Sequence, residues 1–132
     1  MTGSVVAMAF MGVLPPPPPA DVTPSAVNWA DIIATDVAIA SGSNSDQTIS
    51  SISVTIRLEI TYTGAGLIGY SKNGGTNTSI TSGGTILVDV TNTLHFTATA
   101  IGSSANGTVT IKNLSDGSTT LDTFTYTLTV TG

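Results

Sequence analysis

A chain of 132 residues is about the size of one domain. Charged residues make up only 8% of it and hydrophobic ones 40%, with no cysteine and a formal net charge of −5. These figures exclude disulfides, thiolate metal sites and cysteine nucleophiles, and the cations Arg57, Lys72 and Lys112 are too few and too scattered to neutralise a nucleic-acid backbone.

The first element in chain order is an apolar arm. Val5 to Leu14 is uncharged and carries Val5, Val6, Met8, Phe10, Met11, Val13 and Leu14, and it runs directly into Pro15, Pro16, Pro17, Pro18 and Pro19. A secretory signal needs a positive stretch before its apolar run, and here the first cation is Arg57. Ten residues are also too few to cross a bilayer, which takes about 20. The prolines predict a polyproline II rod extending about 3.1 Å per residue, roughly 15 Å in all. No arginine or lysine flanks the rod to orient it in a proline-recognising groove. Left in water, the decamer would form a sticky patch of the kind that marks an interaction site. The expectation is an arm that is kept and orders on a partner or on copies of itself, with these residues and Trp29 as the contacts. "SAVNWADII" (25–33) reads as a turn of helix capped by Asn28, with Trp29 plugging one end of the domain that follows. The predicted division is residues 1–33 for arm, spacer and linker, and 34–132 for a folded domain.

From residue 34 the pattern changes to period two. "TDVAIAS" (35–41) is the first predicted strand, and "ISVTIRLEITY" (52–62) is the clearest, since strict alternation over that length describes a strand with one buried face. "GLIGYSK" (66–72), "TILVDV" (85–90), "TLHFTATA" (93–100), "GTVTIKN" (107–113) and "TLDTFTYTLTV" (120–130) follow, separated by Gly, Asn and Asp. Asp116-Gly117 predicts a hairpin turn. Leu121 is out of phase with Phe124, Tyr126, Leu128 and Val130, which predicts a β-bulge near Asp122-Thr123. About seven short strands in roughly 100 residues predict an all-β fold, an immunoglobulin-like antiparallel β-sandwich behind an extended arm.

Little of this supports chemistry. His95 is the single histidine and alternation puts it on the solvent face, so neither a catalytic triad nor a zinc site has enough members. Glu59 and Asp89 are strand acids that could meet across a sheet, but Arg57 shares the face of Glu59 and an ordinary surface pair is expected instead. Asp116 and Asp122 read as turn chemistry rather than calcium ligands, because calcium takes six to eight oxygens. The expectation is a non-enzyme with no catalytic residue, no metal and no cofactor. The rival reading is a carbohydrate- or host-surface-binding sandwich, for which Tyr70 and Trp29 are the available aromatics and a host glycan the partner.

The phrases "VNWADI", "QTISSISVTIRLEI", "GYSKNGG" and "GTVTIKNLSDGSTTLDTFTYTLTV" together resemble the small β-sandwich virion structural proteins of tailed bacteriophages. The resemblance covers residues 27–132 and leaves the arm outside it. It implies a capsid decoration protein, a head fibre or spike, or a neck or tail appendage. Such a subunit would be assembled into the virion in the bacterial host cytoplasm, with capsid, neck or tail proteins and further copies of itself as partners. It would bind neither nucleic acid nor membrane.

Overall fold

The computed structural model describes residues 19–132, so Val5 to Leu14 and Pro15 to Pro18 lie outside the described residues. Ten strands form two facing sheets: β1 (Ile32–Asp36), β2 (Ile39–Ser43), β3 (Gln47–Thr48), β4 (Ile56–Tyr62), β5 (Leu67–Lys72), β6 (Thr78–Ser79), β7 (Gly84–Val88), β8 (Thr93–Ile101), β9 (Ala105–Asn113) and β10 (Thr119–Val130). The first sheet has the order β1-β10-β9-β4-β7, and the second β2-β8-β5-β6 with β3 also on β8. This is the expected all-β sandwich. Three features differ from the expected strands.

The single run 35–41 is two strands on different sheets. β1 pairs with β10 in parallel, Ile32 opposite Tyr126, while β2 pairs antiparallel with β8, Ala40 opposite Ala100. The sandwich is therefore not wholly antiparallel. Asp36 makes the crossing, because its carboxylate accepts the N–H of Ala38 and turns the chain between the sheets. The boundary expected at residue 34 consequently falls inside β1.

The alternating run 52–62 becomes strand only from Ile56. Before it, the backbone N–H of Ser53 donates to the Asp21 carbonyl and the Ser50 carbonyl accepts from Ser25, so this stretch holds the preceding segment instead of a neighbouring strand. Ser51 is turned to φ 66°, and Val54 is left 41% exposed.

The turn at Asp116-Gly117 is longer than a two-residue hairpin. A 3-10 turn, Leu114–Asp116, is capped by the Asn113 side chain and ends on left-handed Gly117. The bulge sits one residue earlier than expected: Thr120 faces Lys112 and Asp122 faces Ile111, leaving Leu121 as the extra residue.

Alternation decides the core. Ile56, Leu58 and Ile60 of β4 meet Leu94, Phe96 and Ala98 of β8 and Phe124, Tyr126 and Leu128 of β10, all essentially inaccessible to solvent. Each such large side chain contributes about 1.5–3 kcal/mol on burial. Phe96 lies between Trp29 and Phe124, with centroids 5.1 and 5.4 Å away. The opposite face of β10 carries Thr123, Thr125, Thr127 and Thr129 in water.

Two carboxyls, exposed Asp36 and partly exposed Asp89, carry a pH signature. Asp36 is held below the usual carboxylate range by the N–H groups of Ala38, Val37 and Ile39. Asp89 is lowered by the Thr91 hydroxyl and then its N–H, against a small opposing effect of burial and with help from Lys72. Because folded values lie below unfolded ones, this stabilisation is present above about pH 4 and is lost as pH falls through the folded values. Thermal melts from pH 7 to pH 2 are expected to decline modestly in that acid window, and Asp36→Asn with Asp89→Asn to flatten part of the decline. A double variant with an unchanged acid profile would refute the assignment.

Candidate functional site

The segment behind the prolines is where the expected arm joins the domain. It forms no helix: residues 19–31 are irregular, and Asn28, instead of capping, donates its backbone N–H to Gln47 Oε1 at 3.3 Å. Alternate residues of this segment nevertheless point inward, with Pro24, Val27 and Trp29 buried. An extended chain with apolar residues every two or three positions can lie across the open end of a sandwich, provided its backbone groups find partners.

They find them on both sheets. The N–H of Asp21 donates to Ser53 Oγ at 2.7 Å, and the Ser53 N–H returns to the Asp21 carbonyl at 2.9 Å. Asn113, 2% exposed, donates its amide to the Val22 carbonyl at 2.7 Å while its oxygen caps the 3-10 turn. Thr23 Oγ1 donates to Asp116 Oδ2 at 2.9 Å, and the Trp29 N–H donates to Asp122 Oδ2 at 2.7 Å. Asp31 Oδ1 accepts the N–H of Thr125 at 2.8 Å, and Asn44 donates to the Ala30 carbonyl at 3.1 Å. The indole N–H of Trp29 reaches the Leu94 carbonyl at 2.7 Å inside the core.

Several residues singled out in the sequence thereby change role. Trp29, expected as a partner contact, is 1% exposed and closed to one, because its ring fills the end of the sandwich against Phe96. That placement agrees with the plug expected of it. Asp116 and Asp122 do more than shape a turn; they hold the incoming segment. Pro19, in contrast, is exposed. No sequence signal announced Asn113 or Asp122, since their partners lie about 90 positions away.

Beside this root the β4–β7 ladder ends at Ile56 opposite Val88, and the two chains then diverge. The result is a groove of ≈ 440 Å³ lined by Ile52, Ser53, Val54, Thr55, Asp89, Val90 and Thr91. Val54 and Val90 are 41% and 48% exposed on it, and Ile52 is buried. Ser53 belongs both to the groove and to the root.

The remaining candidates stay apart. His95 Nδ1 lies 2.7 Å from Asp46 Oδ1, and no ion pair of Lys or Arg occurs among the described residues, so Arg57 and Glu59 do not form the surface pair expected of them. Glu59 faces Thr85 and Lys112 in the ladder, and Asp89 lies past the end of β7, so these acids do not meet. Among the described residues no group of three or more His, Cys, Asp or Glu is placed to hold a metal. Tyr70 is half-buried against the core, and Tyr62 donates its hydroxyl to the Ile80 carbonyl.

No family model matches the chain, and no curated protein sequence does. Among solved structures, the N-terminal domain of PorA is similar with a TM-score of 0.40 and 10% identity, over 78% of this chain and 88% of that one.

Proposed function

We propose that the protein is a non-enzymatic structural subunit of a bacteriophage virion, a capsid decoration, head fibre or spike, or a neck- or tail-attached subunit. Its N-terminal arm anchors it and the sandwich projects outward. The virion assignment comes from the sequence phrases quoted above. The anchoring role is carried by one observation: between Asp21 and Asp31 the chain that leaves the prolines is bonded to β10 of one sheet through Asp122 and Thr125, and to β3 and β8 of the other through Gln47 and Leu94. A load on the arm therefore reaches the whole domain through its core instead of through a loose tether. Many copies on a symmetric particle would let a modest affinity per arm suffice.

Deleting residues 1–19 tests this. Among the described residues the buried ones begin at Pro24, so the product is expected to fold with unchanged circular dichroism and to lose co-sedimentation with the particle by at least tenfold. Intact mass of the native protein is expected to retain Val5 to Leu14. A deletion product that still joins the particle, or a mature chain that starts after Pro19, would overturn the proposal.

A further inference from the structure

Three backbone donors on the flanks of the groove beside the root are spent elsewhere. The Ser53 N–H is taken by the Asp21 carbonyl, the Thr91 N–H by Asp89 Oδ1, and the Asp89 N–H by Asn92 Oδ1. Those three positions offer an added strand no donor. What the groove offers is two half-exposed valines, Val54 and Val90, over buried Ile52. That suits an uncharged apolar segment, and the chain carries one, from Val5 to Leu14.

We propose that the groove receives the apolar arm of a second copy of this chain. The spacer argues against self-docking. The described chain enters at the groove's own rim, where Asp21 bonds Ser53, and the sequence puts five prolines, an expected polyproline II spacer of roughly 15 Å, between Leu14 and that entry. Proline fixes φ, so such a spacer disfavours an immediate return of the arm to its own groove. A groove on another copy is free of this constraint, and every copy brings one arm and one groove, which makes exchange of an identical element the fitting geometry. The inference rests on the arm being kept. It adds where the arm goes in the free protein, covering a surface that would otherwise be sticky until a particle competes for it.

Light scattering on the full chain tests it. The parent is expected to associate into two or more chains of 13.3 kDa each. Val54→Asp with Val90→Asp, which spoils the groove, and Phe10→Asp with Val13→Asp, which spoils the arm, are each expected to run as single chains with unchanged circular dichroism. Mixing the two variants is expected to restore a heterodimer, since one keeps a working arm and the other a working groove. Ile101→Asp, at the opposite end of β8, is expected to leave association within twofold of the parent. A parent that is a single chain at high micromolar concentration, association that survives the groove variant, or a mixture that fails to pair would each overturn the inference. Co-sedimentation of the 1–19 deletion reports on the particle separately, so the two ideas can fail independently.

Discussion

Trp29→Ala is expected to lower stability by about 3–5 kcal/mol, the usual cost of removing a large buried aromatic. For a domain of this size that is a fall of roughly 10–20 °C in Tm. Three losses coincide. The cavity strips Phe96 of its edge-to-face partner at 5.1 Å, the Leu94 carbonyl loses its donor inside the core, and the backbone N–H of residue 29, though kept, loses the buried ring that holds it against Asp122. Trp29→Phe keeps most of the volume and forfeits mainly the indole hydrogen bond, so its expected cost is smaller, about 1–2 kcal/mol. Limited proteolysis should distinguish the variants too, with cleavage between residues 19 and 31 accelerated in the alanine variant. An alanine variant that melts within about 1 kcal/mol of the parent would show that Trp29 does not close the sandwich.

The second large effect is expected at Gly107, where backbone crosses backbone. A Cβ added there would stand 2.1 Å from the Thr63 carbonyl oxygen and 2.8 Å from the Tyr126 hydroxyl. That hydroxyl donates to the Thr63 carbonyl at 2.7 Å and accepts from the Gly66 N–H at 3.1 Å, tying the β4–β5 turn to β10. Alanine must push the turn away and break this pair of bonds together, for an expected loss of at least about 3 kcal/mol in urea unfolding. Gly74→Ala supplies the contrast. Its φ is +68° and nothing stands within 4 Å of an added methyl, so only the left-handed strain of about 1–2 kcal/mol applies. Equal costs at the two positions would mean that the crossing at Gly107 is looser than its geometry requires.

The two effects have a common origin in how the ends of the sandwich are closed. At one end an extended segment lies across the opening and is held by Asn113, Asp116 and Asp122. Next to the other end of β10, Tyr126 and its glycine neighbours close a turn without room for a side chain. The acids in the first closure are few, and each has a single assigned donor, which is how a chain with only 8% charged residues uses them.

Strands whose alternation is unbroken can be read directly from the order of residues. Ile56 to Tyr62, Thr93 to Ile101 and the Phe124–Val130 half of β10 were legible because period two is a local property of neighbouring residues. The phase slip at Leu121 was legible for the same reason. The rest depends on the assembled sandwich. The split of 35–41 onto two sheets depends on which distant strand each half meets, β10 or β8. The failure of Ile52 to Thr55 to become strand depends on Asp21 claiming the Ser53 backbone. Trp29 fills the end of the sandwich as the plug expected of it, but its bonds to Leu94 and Asp122, and the change of Asp122 from a turn to a clamp, are relations between residues far apart in the chain, which no local spacing records.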